Sequence, residues 1–233
     1  MLTSLLPGFR HFRTPFAVGV LCAFQVWMLF GDWIPTRNEA QGFIKRLYAL
    51  GELAGRPAVA AVVAFALYLL GDLVKLSATQ VARTLNNLKP GMRTALLGRD
   101  SYRDLHLYAE SLRGRAGEAF DLMAAMSAVM RELPEVRMRL IAEHLEVYLE
   151  HDRLDSEADF RVNLAAYSIT LWVTVAVLCS PWFLFGLAAS ALLYLNGFRA
   201  LREANGVLMQ SLISGIVESR VYAEGGHHPH SHP

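Results

Sequence analysis

The chain has 233 residues, of which 54% are hydrophobic and 18% charged, and its formal net charge is +1. That balance gives no overall electrostatic pull towards nucleic acid, and the apolar content belongs to a membrane protein. The two cysteines, Cys22 and Cys179, lie in apolar runs and read as small buried hydrophobes, not as a disulfide or a metal pair.

A bilayer core of about 30 Å needs about 20 helical residues. The first stretch to meet this is "PFAVGVLCAFQVWMLFGDWI", Pro15 to Ile34, with Arg10 and Arg13 before it and Trp27 and Trp33 towards its far end. Aromatic residues there suit a headgroup region, and with no small-residue cleavage site following, the stretch reads as a retained anchor. The second span is "PAVAAVVAFALYLLGDLVKL", Pro57 to Leu76, in which Ala60 and Ala64 are one turn apart and allow close approach of another helix. Between the two, Phe43, Ile44, Leu47, Leu50 and Leu53 recur at helical spacing among Lys45, Arg46 and Glu52, which predicts an amphipathic helix on the far membrane surface.

About 37 residues from Val162 to Phe198 carry no charge. One helix of that length would measure about 55 Å and overrun the bilayer. Ser180-Pro181 is a helix-start signal, so the stretch reads as a hairpin with its tip around Cys179 to Trp182 and short arms that either span or re-enter. Basic residues then agree on one side: Arg10 and Arg13, then Lys75, Arg83, Lys89 and Arg93, then Arg153 and Arg161, then Arg199 and Arg202. By the positive-inside bias this side is cytoplasmic, with both termini on it; the predominance of Arg over Lys and the abundant Ala, which fit a GC-rich bacterial genome, make a bacterial inner membrane the expected location. The basic residues of the far loop are the discordant note.

The fold expected is all-α: a membrane pair over residues 1–76, a cytoplasmic helical, coiled-coil-like module over 77–160, a membrane hairpin over 161–198, an amphipathic helix over 199–222 and a disordered tail over 223–233. The module repeats every seven residues through Leu105, Leu112, Ala119, Met126, Leu133, Leu140, Val147 and Leu154, a narrow seam suited to a partner or a second copy. Pro134 within it predicts a break near Glu132 to Glu135, as a hairpin or as a kink. The preceding linker holds Lys89, Arg93, Arg99 and Arg103, which are candidates for anionic lipid headgroups or simply follow the positive-inside bias.

Among ionisable groups, Asp72 stands out because it lies within the second span, and intramembrane carboxylates serve ion paths, proton paths or interhelical contacts. Its other reading is an ion pair with Lys75 at the headgroups. Gln25, mid-span, is a candidate interhelical hydrogen-bonding group. The run "AEHLEVYLEHD" spaces His144 and His151 too far apart for one ion and reads as a solvated charged face. In the tail, His227, His228, His230 and His232 offer loose metal affinity without a fixed geometry. Nucleophile elbows, phosphate-cradling loops and dinucleotide fingerprints are missing, and a helical core needs no cofactor.

In "LLPGFRHFRTPFAVG" before the first span and "FRALREAN" after the last, the chain resembles small multi-span membrane proteins of actinobacteria, a resemblance that implies no activity. The function expected is a self-associating scaffold or partner-binding subunit and not an enzyme. An oligomeric channel or transporter using Asp72 and a membrane- or metal-responsive sensor are the alternatives.

Overall fold

The computed structural model describes residues 7–88, 99–116 and 122–217. Among them there are helices and no strands: α1 Pro7–Phe30, α2 Gly42–Val74, α3 Ala78–Leu88, α4 Arg99–Ala116, α5 Leu122–Glu143, α6 Leu145–Leu178 and α7 Gly186–Ile213, with 3-10 turns at Gly31–Trp33 and Pro181–Phe185. Four helical stretches are long and apolar enough to cross a membrane: His11–Trp33, Gly42–Thr84, Leu145–Leu178 and Pro181–Ile213. Two compact units divide the chain, residues 1–77 with 159–197 and residues 78–158 with 198–233. Helices α6 and α7 contribute to both.

In the first unit, α1 starts well before Pro15, which sits inside it. The helices α1 and α2 meet backbone to backbone. A Cβ on Gly71 would overlap the Pro15 carbonyl, and one on Gly19 would overlap the Leu67 carbonyl. Only glycine on both helices permits this approach. It is these glycines, not Ala60 and Ala64, that make the close contact; Ala60 is exposed and Ala64 half-buried.

The uncharged stretch forms the expected hairpin. Helix α6 ends at Leu178, Ser180 takes an extended conformation, and Pro181 opens a 3-10 turn that leads into α7. The Ser180 hydroxyl makes no capping bond, so proline geometry and chain direction set the turn. The arms are antiparallel neighbours: Gly186 lies against the Trp172 ring, Ser168 and Ser190 hydroxyls are 2.7 Å apart, and a Cβ on Gly197 would come within 2.8 Å of Val162. Cys179 is exposed at the tip and Cys22 is half-buried, so neither is the fully buried hydrophobe expected.

In the second unit the predicted break at Pro134 is replaced by a turn ten residues later. Helix α5 runs through Pro134 without interruption. The chain bends at His144, where the helical hydrogen bonds His144 N–H to Leu140 O and Tyr148 N–H to His144 O are kept. An unbroken helix would hold Arg137 and Asp152 about 22 Å apart. Their ion pair at 3.8 Å, with Arg137 to Asp155 at 3.6 Å, requires the chain to turn back there. The core within the turn consists of Leu105, Val129, Leu133, Val136, Leu140, Leu208, Met209, Leu212 and Val217, with Tyr102, Val147 and Tyr148 against it. Burying such side chains contributes about 1.5–3 kcal/mol each, which outweighs the proline penalty of about 3 kcal/mol within α5.

The amphipathic helix expected over 199–222 is the last part of α7 and stops at Ile213. Gly215, at φ 73°, supplies the left-handed residue that ends it, and the Val217 amide bonds back to Ser211 O.

Candidate functional site

The polar groups of the first unit gather at the end of α2. Asn163, fully buried on α6, accepts a hydrogen bond from Leu76 N–H at 2.7 Å through Oδ1 and donates through Nδ2 to Leu76 O at 2.6 Å. Its second amide hydrogen goes to Asp159 O at 2.7 Å. One turn further along α6, the Tyr167 hydroxyl donates to Val74 O at 2.5 Å. Together they satisfy backbone groups that the helix end leaves without partners. Gln25 closes the arrangement from α1 by donating to Tyr167 O at 3.1 Å, and the Arg13 guanidinium lies 4.0 Å from the centre of the Phe160 ring. The result is a clamp in which α6 holds the end of α2 and α1 holds α6.

Asp72 lies beside this clamp and accepts a hydrogen bond from Lys75 Nζ at 2.7 Å, both side chains about half exposed. Asp72 is thus paired locally with Lys75, and Gln25 bonds to Tyr167 O. Of the linker candidates, Lys89 and Arg93 lie outside the described residues, Arg99 begins α4, and Arg103 is exposed. The tail histidines His227, His228, His230 and His232 also lie outside the described residues, as does Ala119.

The heptad seam has a clear location. Leu105, Leu133 and Leu140 sit in the chain's own core, Val147 packs against it and Leu154 is half-buried. Leu112 and Met126 lie on α4 and α5, where the backbone alone is described. These core leucines and valines therefore close within one chain.

His151 is not on a solvated face. It is buried, with Nδ1 3.0 Å from Ala204 O, so Nδ1 carries the hydrogen and donates it. Burial lowers its pKa below the ordinary 6.5, with the Ala204 carbonyl and Asp155 acting in the other direction. A signal existed in the sequence, because His151 falls between Val147 and Leu154 at helical spacing and so on the inward stripe. Glu132, also buried, receives Arg139 at 3.1 Å. No three metal-ligating side chains gather among the described residues.

What the first unit offers outward is apolar. Only 6% of the most apolar stretch of α2 is buried, against 22% in each of the other three candidate spans. Val62, Phe65 and Leu73 are 69%, 61% and 83% exposed. Fold and site define an all-helical protein with four candidate spans, the second of which packs on α1 through Gly71, Leu67 and Tyr68 and keeps an apolar face, with Val62, Phe65 and Leu73, that no described residue covers. Comparison with protein-family models, with curated proteins and with solved structures finds no match.

Proposed function

We propose that this protein is a helical scaffold of a bacterial inner membrane, binding a second copy or a partner membrane protein and catalysing no reaction itself. The observation that carries the reading is the uncovered face of α2, since the Leu105–Leu140 seam is already occupied within the chain. The clamp of Asn163 and Tyr167 holds that face in one orientation, which a docking helix needs. In lipid, association draws on packing and interhelical hydrogen bonds.

The basic residues Arg13, Lys75, Arg83, Arg161 and Arg199 favour a cytoplasmic location for the second unit and both termini. Conduction through Asp72 is the weaker reading because Lys75 already pairs with it. Cysteine cross-linking at Val62→Cys or Phe65→Cys in native membranes tests association. A cross-linked dimer or a covalent adduct with a membrane protein is expected, and a strict monomer with no adduct refutes the reading. Labelling of the exposed Cys179 by a membrane-impermeant maleimide added outside intact cells checks orientation independently.

A further inference from the structure

The segment between the first two candidate spans has a charge imbalance that its own fold leaves open. Gly55, at φ 78°, breaks α2 just before Pro57. A Cβ on Gly51 would lie 3.4 Å from Val59 Cγ2. Eight residues of straight helix would separate these positions by about 12 Å. The limb over residues 42–54 therefore bends sharply towards the start of the span, and the inside of the bend is an open groove lined by Ile44, Leu47, Tyr48, Glu52, Arg56 and Val59.

Two internal contacts tie the limb to the loop before it: Arg37 pairs with Glu52, and the Tyr48 hydroxyl donates to Pro35 O at 3.2 Å. Glu39 accepts from the Thr36 hydroxyl at 2.8 Å. Both carboxylates of the segment are thus engaged within it. Lys45, Arg46 and Arg56 have no carboxylate partner among the described residues. Alongside them Phe43 and Leu53 are 74% and 86% exposed. Apolar side chains in the open beside unneutralised cations suit a surface that is both oily and negative.

We propose that the bend of α2 binds an anionic phospholipid. The lipid phosphate meets the Arg56 guanidinium, a planar donor suited to phosphate oxygens, and an acyl chain follows Ile44, Leu47 and Val59. Lys45 and Arg46 add positive charge along the limb, while Phe43 and Leu53 seat it among neighbouring lipids. This site accounts for the basic residues that run against the positive-inside bias. It rests on the chain's being embedded in a bilayer and is independent of association through the face of α2.

The test uses the full chain in a neutral detergent, with equal amounts of phosphatidylglycerol and phosphatidylcholine of identical acyl chains, read by native mass spectrometry. Phosphatidylglycerol should be retained in excess. Its excess should fall about fivefold for each of Lys45→Gln, Arg46→Gln and Arg56→Gln, reaching parity in the triple variant. Lys75→Gln and Arg83→Gln should leave it unchanged. Equal retention of the two lipids, an excess that survives the triple variant, or one abolished instead by Lys75→Gln or Arg83→Gln overturns the proposal. Should the triple variant fail to fold, the unaltered chain decides through added salt. The excess must shrink as screening increases, and a salt-insensitive excess refutes the site.

Discussion

The two units of this chain solve the same problem with opposite materials. In the second, large aliphatic side chains do the joining: Leu105, Val136 and Leu140 are buried against Leu208, Met209 and Leu212. In the first, most residues of that kind are exposed, Val18 and Val162 being buried, and the closest joints are made by Gly19 with Gly71, Gly186 with Trp172, Ser168 with Ser190, and Asn163 with Leu76. Water rewards the burial of leucine, whereas lipid is as apolar as leucine and leaves only close packing and hydrogen bonds to hold helices together. The contrast is what a chain divided between the two solvents should show, and it tells which substitutions matter in each unit.

The strongest way to break the contrast is a matched pair. Leu140→Ala should destabilise the second unit by about 2–5 kcal/mol, because it empties a fully buried position. Leu73→Ala, the same chemical change at an exposed position in α2, should change stability in detergent by less than about 0.5 kcal/mol. Thermal unfolding followed by circular dichroism measures both, and equal losses would show that the two units are built alike.

Next in size is Gly71→Ala, a substitution normally harmless in a helix. Here its methyl meets the Pro15 carbonyl, and a loss of about 1–3 kcal/mol is expected by the same measurement. A neutral outcome would mean that the helices do not cross at that glycine. Asn163→Leu should follow at about 1–3 kcal/mol, since Leu76 N–H and C=O lose their partner.

The smallest effect is one of pH and belongs to the second unit alone. His151 binds protons less readily when folded than when unfolded, so acid favours the unfolded chain. Stability should be full above the ordinary histidine value of 6.5 and decline as pH falls below it. Melting temperatures across that range should show the slope, and His151→Gln should flatten it. Gly71→Ala should leave the slope as it is.

How far the sequence reveals this depends on the range of the interaction concerned. The presence of four long apolar helical stretches and the hairpin tip follow from lengths of uncharged chain and from Ser180-Pro181, all local. Pro134 misleads because its local penalty is overridden by packing between residues distant in sequence, such as Leu133 with Leu208. The true turn at His144 has no local mark, since neither proline nor glycine stands there. In the clamp, Asn163 looks like any polar residue at the start of a span, and its partner Leu76 is 87 residues away. Gln25 is recognisable as an interhelical donor, but nothing near it names Tyr167 as the acceptor. The seam is legible as a seam, yet periodicity alone does not say that its partner, Leu208 to Leu212, lies in the same chain.

The clamp also sets a timetable for the ribosome. Leu76 leaves the peptidyl-transferase centre 87 residues ahead of the Asn163 that completes its hydrogen bonding. At about 5–20 residues per second, the end of α2 waits roughly 4–17 seconds for its partner. Throughout that interval the nascent chain carries a helix end whose hydrogen bonding is incomplete. Slowed translation between codons 76 and 163 should therefore raise capture of this chain by chaperones and quality-control proteases, while the finished protein is unchanged.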